Sequence, residues 1–177
     1  MQDAEAHLYT RADGSTNLPG PAAGAEGLAA LDDLVDFRVH QLVVVRSDVY
    51  WDNLRLALAW DARNVAVLLG YRGGRYTGAV SASPLDLSSL GLHLPPLTAS
   101  TRLEIAKNTL LVNSLVWRSA ALTGNGSAVV HWLPAVWSHF SFQIEGEAGS
   151  LAKLLEHDEV QGGWFSGNAE GLSLIHI

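Results

Sequence analysis

The sequence predicts an α+β fold, in which an N-terminal helix and an antiparallel sheet precede a mainly helical half with a central buried helix. Three observations lead to this prediction. Apolar residues recur at helical spacing within residues 22–39, short β-branched runs fill residues 40–80, and helical spacing returns within residues 97–122. One helix followed by a sheet and then by further helices is typical of an α+β domain.

The first part of the chain divides into a loop and a helix. Residues 1–21 form an N-terminal segment that is expected to be partly loop, because "RADGSTNLPGP" is rich in glycine, proline and asparagine. The stretch "AAGAEGLAALDDLVDFRV" then places Leu28, Leu31 and Leu34 at helical spacing, with its aspartates offset from them. This pattern predicts an amphipathic helix.

The next forty residues change from helical spacing to short apolar runs. "HQLVVVRS", "NLRLALAW", "NVAVLLGY" and "RYTGAV" are separated by "SDVYWD", "DAR" and "RGG". Short strands joined by short turns predict an antiparallel meander. The glycines of "GYRGGRY" are expected to form a hairpin turn, because the lysine and hydroxyl of a phosphate-binding loop are missing at the required offsets.

The second half of the chain returns to helical spacing. Residues 97–122, "LTASTRLEIAKNTLLVNSLVWRSAAL", predict a long helix, which "TGNG" ends. Ser150 is placed to begin a further short helix.

Composition excludes several classes of site. The chain has 177 residues, no cysteine and a formal net charge of −7, so disulfides and thiol nucleophiles are absent and composition does not favour a nucleic-acid partner. No two of the seven histidines have the four-residue spacing of zinc ligands on one helical face. We therefore expect neither a metal site nor a cofactor.

The two ends of the chain lead to expectations about location and boundaries. "MQDAEAHLYTRADGS" lacks the basic-then-apolar order of a signal peptide, and no apolar run approaches the roughly 18 residues of a membrane span. A cytoplasmic protein without membrane contact is expected. The terminal "LSLIHI", residues 172–177, is interpreted as translated sequencing adapter, so the single predicted domain covers residues 22–171 and is C-terminally truncated.

One stretch resembles a known family. "NLRLALAWDARNVAVLLGYRGGRY" is similar to the central hairpin of ribosome-inactivating proteins, with Asn64, Gly70, Tyr71 and Arg72 as the most specific matches. "SAVVHWLPAVWSHFSFQIEGEAGSLAKLL" resembles the family's long central helix, whose core motif reads Glu-Ala-x-Arg-Phe, so the resemblance implies a central buried helix over residues 128–143. "VQGGWFSG" resembles the tryptophan segment after it. The matches keep the family's order over residues 22–168.

The resemblance implies an rRNA N-glycosylase, a hydrolase and toxin of plant defence that inhibits translation by removing one adenine from ribosomal RNA. Ribosomal RNA is then the implied partner, and Tyr71, His139 and Trp164 are the candidate site residues. Alignment of His139 with the motif's arginine puts Val136 at the position of its glutamate. Because valine carries no charge and histidine only partly replaces arginine, impaired or lost activity is implied.

A non-enzymatic α+β domain for binding or interaction is the alternative. In that interpretation Trp132, Trp137, Phe140 and Phe142 are aromatic residues of the core or of a surface that contacts a partner.

Overall fold

The structure is a computed structural model that describes residues 3–13, 15, 17, 35–36, 38–54, 57–89, 92–93, 96–132, 136–154 and 162–175. These residues form ten strands and one short helix, α1 (Ala148–Leu154), and Val35 and Asp36 are also helical. The strands are β1 (Glu5–Thr10), β2 (Gln41–Asn53), β3 (Leu58–Arg72), β4 (Arg75–Ser89), β5 (Leu92–His93), β6 (Leu97–Ala106), β7 (Thr109–Arg118), β8 (Leu122–His131), β9 (Val136–Glu147) and β10 (Trp164–Ile175).

All ten strands belong to one sheet, in the order β1-β2-β3-β4-β6-β7-β8-β9-β10, with β5 paired to β4. Successive strands from β2 onward pair antiparallel, whereas β1 pairs parallel to β2. Gly73 and Gly74 join β3 to β4 with φ of 63° and 83°, values that glycine adopts without steric cost. The antiparallel meander and its glycine turn are confirmed, but the structure has three strands here where four were predicted, because the predicted separators "SDVYWD" and "DAR" lie inside β2 and β3.

The register divides the side chains of the sheet into two faces, because paired residues on neighbouring strands point to the same side. Tyr76 pairs with Tyr71 on β3 and with Ile105 on β6, and Ile105 pairs in turn with Leu110 on β7. We call the face with these four residues the apolar face. At the paired positions of the described strands it carries no charged side chain. The opposite side is the polar face.

The best-packed part of the apolar face lies near the turn between β3 and β4. Val35, Leu69, Tyr76 and Ile105 form a buried cluster there, and Tyr76 is fully buried. Burying an aliphatic side chain such as Leu69 or Ile105 contributes about 1.5–3 kcal/mol. The cluster therefore anchors one end of the sheet, with Val35 packed on it from the segment that precedes β2.

The two faces of the sheet differ in how far their large apolar side chains are exposed. The large apolar residues of that face are buried or half-buried, whereas the exposed ones on the strands, such as Val43, Leu68 and Trp164, all lie on the polar face. Register shifts interrupt β2, β4 and β7, and bulges of this kind bend a strand and increase its local twist.

The long helix predicted over residues 97–122 is wrong, because these residues form β6, β7 and the start of β8. An extra residue in β7 shifts the register between Val112 and Leu115. Apolar residues that would alternate are therefore three apart at this point, which imitates helical spacing. Asn108, with φ of 60°, provides the turn between β6 and β7 that the sequence analysis missed.

The central buried helix predicted over residues 128–143 is also wrong, because these residues lie in β8 and β9 with a break between them. The fold is thus an almost entirely β structure and not α+β with a mainly helical half. The short helix expected at Ser150 exists as α1, which begins at Ala148, whose backbone N–H donates to the Gly163 carbonyl at 2.7 Å.

The N-terminal helix predicted over residues 22–39 falls almost wholly outside the described residues. Among the residues that are described, no helix is long and apolar enough to cross a bilayer.

Close contact between β3 and β4 makes a specific prediction at Gly78. A Cβ atom added there would overlap the carbonyl oxygen of Leu68, whereas one added at Gly70 meets nothing within 4 Å. We expect Gly78→Ala to lower the free energy of unfolding by about 1–3 kcal/mol, since the backbone must move apart. Gly70→Ala is the matched control and should leave stability unchanged or slightly raised. Urea denaturation measures both, and equal stability of the two variants would contradict the close approach.

Candidate functional site

A groove on the apolar face is the most apolar of several depressions that the described residues form. It has a volume of about 280 Å³ and crosses the strands from β2 to β7. We call it the apolar groove. Its principal lining side chains belong to the apolar face and are Val49, Trp60, Ala62, Val65, Val80, Ala82, Leu85, Leu87, Ala99, Thr101 and Leu115.

Small residues make the bed of the apolar groove and large ones make its walls. Ala82 and Ala99 are cross-strand partners on β4 and β6, so two methyl groups lie side by side at the centre. Leu87 and Trp60, also partners, rise on one side of this bed, and Val80 rises on the other. A depression forms because the walls extend further from the backbone than the bed does.

Trp117 lies on β7 beside the apolar groove but does not line it. It is the cross-strand partner of Ala99 on β6. Its indole extends the other way, over the backbone of Gly124 on β8, where any Cβ atom would overlap the ring. The glycine thus lets the indole lie flat against the sheet.

Among the residues that the structure describes, no ionisable side chain lines the apolar groove. The charged residues of the same strands lie on the polar face, where several pair with each other. Arg75 Nη1 is 2.6 Å from Glu104 Oε1, and Arg63 Nη2 is 3.0 Å from Asp61 Oδ2. The groove therefore offers apolar surface without a charge to orient a polar ligand.

The apolar groove has no second layer above it within the part of the chain that the structure describes. The substantial contacts between described elements join neighbouring strands, apart from a small contact of α1 with β9. An apolar surface of this kind is favourable to cover, because each square ångström removed from water contributes roughly 25 cal/mol.

Tyr71 is the first of the residues that the sequence analysis proposed for a site. It lies on the apolar face at the end of β3, half-buried, with its ring 5.0 Å from that of Tyr76. It therefore belongs to the margin of the buried cluster and lies outside the apolar groove.

His139 and Trp164, the other two candidates, lie on the polar face of β9 and β10. His139 Nε2 is 3.0 Å from Glu170 Oε1, and Trp164 is 83% exposed. His139 pairs with Leu172, eight residues along β10 from Trp164, so the two are roughly 27 Å apart along the strand. The three candidates thus do not meet in one site, and the alignment partner Val136 is the first residue of β9.

Among the described residues, no group of three or more histidine or acidic side chains could hold a metal ion. Groups of two do occur on the polar face. The ring of His7 stacks on that of Tyr50 at 4.5 Å, and His7 Nε2 is 2.6 Å from Glu5 Oε1. These pairs lie on exposed strands, away from the apolar groove.

Carboxylates near β1 and β2 affect the pKa of Tyr50. Partial burial raises its pKa above the ordinary value of 10.0, and the charges of Asp61, Asp48 and Glu5 raise it further. Asp61 is the cross-strand partner of Tyr50. A phenolate at this position would face carboxylates, which disfavours its formation.

The sequence analysis missed the apolar groove altogether. Its central residues, Ala62, Ala82 and Ala99, come from three strands and have no reactive group that marks a site. The alternation of Leu85 and Leu87 with polar residues was a usable signal for one apolar face, but the register was needed to bring the strands together.

Comparison of the chain with protein-family models, with curated proteins and with solved structures gives no match.

The raised pKa of Tyr50 gives a prediction for Asp61→Asn. Removing the carboxylate makes the phenolate easier to form, so the pKa of Tyr50 should fall while remaining raised by burial. Absorbance titration of the phenolate, with Tyr50→Phe to identify the signal, measures the change. Asp86→Asn is the matched control, because Asp86 pairs with Asp61 and not with Tyr50. An unchanged pKa in Asp61→Asn would contradict the charge effect.

Proposed function

We propose that this protein is a non-enzymatic binding domain that holds an apolar molecule in the apolar groove. The observation that carries this proposal is the groove itself, a depression of about 280 Å³ lined by aliphatic and indole side chains and by no charged group. Small-molecule sites are typically concave, mostly apolar and few per protein. The proposal develops the binding-domain alternative of the sequence analysis.

The physical driving force for such binding is removal of apolar surface from water. An enclosed apolar cavity of roughly 150 Å³ suffices to bind benzene, so the volume here suits a larger apolar group. Each methylene group that leaves water contributes about 0.8 kcal/mol. Thr101 is the one hydroxyl on the apolar face that lines the groove, and it donates to the Arg102 carbonyl at 3.4 Å.

Catalysis requires reactive groups within hydrogen-bond reach of each other and of the substrate. The groove lining provides no acid, base or charged group that could take part. A binding function needs none of these groups, and the groove provides what binding does need, which is shape and apolar surface.

Filling the bed of the apolar groove tests the proposed function. Ala82→Phe places a ring between the walls, and we expect it to weaken binding of the neutral dye N-phenylnaphthylamine by at least about tenfold, which corresponds to 1.4 kcal/mol. Ala79→Phe is the matched control, because Ala79 lies on the same strand but is exposed on the polar face. Dye fluorescence on titration measures affinity for both variants.

Absence of saturable dye binding by the wild-type protein would refute the proposed function. Equal loss of binding in both variants would also count against it, since the polar-face substitution leaves the groove unfilled. Far-UV circular dichroism and the unfolding midpoint show that each variant is folded before its affinity is compared.

The rRNA N-glycosylase activity implied by the family resemblance stays a prediction and has its own measurement. With a non-enzymatic function we expect no abasic site in the RNA of ribosomes that have been incubated with the purified protein. Cleavage of the RNA by aniline after incubation detects such a site, and an established ribosome-inactivating protein is the positive control. Efficient depurination would show that the protein is an rRNA N-glycosylase and would contradict the proposed non-enzymatic function.

A further inference from the structure

A second depression lies on the polar face at the β1 end of the sheet. It crosses β1 to β4 and has a volume of about 570 Å³. We call it the polar trough. Two rows of cross-strand partners form its sides, and these are His7, Tyr50, Asp61 and Asp86 in one row and Tyr9, Asp52, Ala59 and Ser88 in the other. The row between them points its side chains to the apolar face, so its backbone forms the floor.

Aromatic rings line the trough on β1 and β2. The ring of His7 stacks on that of Tyr50 with the ring centres 4.5 Å apart, and Tyr9 stands in the opposite row. The chain itself places a cation on one of these rings, because the guanidinium carbon of Arg11 is 5.2 Å from the centre of the Tyr9 ring. Aromatic rings attract cations to their faces through the ring quadrupole. This part of the trough therefore favours a positively charged group.

Carboxylates make up much of the remaining lining. Asp61 and Asp86 are cross-strand partners, which places their Cβ atoms roughly 5 Å apart, and Asp52 stands in the other row. Among the described residues, no basic side chain forms a salt bridge with Asp52 or Asp86. Asp61 accepts from Arg63 through Oδ2, but its Oδ1 is buried and has no hydrogen-bond partner there. The carboxylates therefore have acceptor capacity that the described part of the chain does not use.

The trough is negative in charge as well as rich in acceptors. Its lining within the described residues includes three carboxylates and no lysine or arginine. Burial raises the pKa of Tyr50 and the charge of Asp61 raises it further, as expected for a phenol in a negative potential. The nearby His7 is itself paired with Glu5. A cation that enters the trough is therefore attracted, and an anion is repelled.

The combination of carboxylates and rings favours one kind of cation. Ionised carboxylates only accept hydrogen bonds, so a cation with N–H groups is preferred over a quaternary ammonium ion. Guanidinium has a planar fork of donors that matches a carboxylate, and its flat face stacks on an aromatic ring. A primary ammonium ion has the donors but is not flat, so it uses only one of the two features.

We propose that the polar trough binds a guanidinium group between its carboxylates and its aromatic rings. An arginine side chain of a peptide and a small alkylguanidine both supply this chemistry. The trough lies on the opposite face of the sheet from the apolar groove, so the inference goes beyond the proposed function and does not rest on it.

NMR titration of the ¹⁵N-labelled protein with butyl cations at low salt tests the inference. We expect butylguanidinium to bind about threefold more tightly than butylammonium, because the flat ion adds stacking on a ring. Butyltrimethylammonium, which has no N–H group, should also bind more weakly than butylguanidinium. High salt should weaken all three. N-acetyl-arginine amide distinguishes the two sources, since it should bind more tightly than butylguanidinium if the trough also recognises the peptide groups, and equally if it recognises the guanidinium alone.

Removal of one charge provides the matched variants. Asp86→Asn keeps the size of the side chain and should weaken butylguanidinium binding about threefold. Glu145→Gln removes one charge from the same face on β9, outside the trough, and should leave the affinity unchanged. Ala82→Phe fills the apolar groove on the other face and should also leave it unchanged. The wild-type series tests the inference by itself even if Asp86→Asn does not fold.

Three results would overturn the inference. These are tighter binding of butylammonium or butyltrimethylammonium than of butylguanidinium, equal loss of affinity in Asp86→Asn and Glu145→Gln, and chemical-shift changes that centre on residues outside the polar trough. None of them bears on the proposed function, which the titration with N-phenylnaphthylamine tests separately. Failure of that dye to bind would likewise leave the guanidinium site standing.

Discussion

The structure depends on keeping apolar side chains on one face of a single sheet. Side chains alternate between the two faces of a strand. A register slip of one residue would therefore move the apolar side chains of that strand to the solvent-exposed face. The cluster of Leu69, Tyr76 and Ile105 fixes the register on β3, β4 and β6, and the strands outward of these follow through their pairing. The apolar groove and its walls follow from this arrangement.

The bulges in β4 and β7 help to keep apolar side chains on the apolar face. Between Ala82 and Leu85 on β4, and between Val112 and Leu115 on β7, the chain uses three residues where its neighbour uses two. Two apolar residues that are three apart in sequence would point to opposite faces of a regular strand. The extra residue of the bulge places both of them on the apolar face. In both places residues of the resulting bend line the apolar groove, so the same irregularity both preserves the face and shapes the site.

The sequence predicted those parts of the fold that are marked by residues close together in the chain. The pairing of β3 with β4 was predictable, because Gly73 and Gly74 mark a turn between two apolar runs. The second half was not, because the bulge in β7 imitates helical spacing and the resemblance favoured a helix where Phe140 and Phe142 alternate with polar residues. The apolar groove could not be predicted from the sequence for a different reason. Its alanine methyl groups come from different strands, and only the register of the sheet shows that they lie side by side.

The order of the strands has a consequence for how such a protein can vary. From β2 to β10 nearly every contact between strands joins segments that are adjacent in sequence, and such local pairing keeps the loop-closure entropy low. Gain or loss of one hairpin would therefore leave the remaining pairings intact while changing the width of the sheet by about 10 Å. Duplication of hairpins is thus a simple genetic route by which descendants of this fold could accommodate longer or shorter molecules.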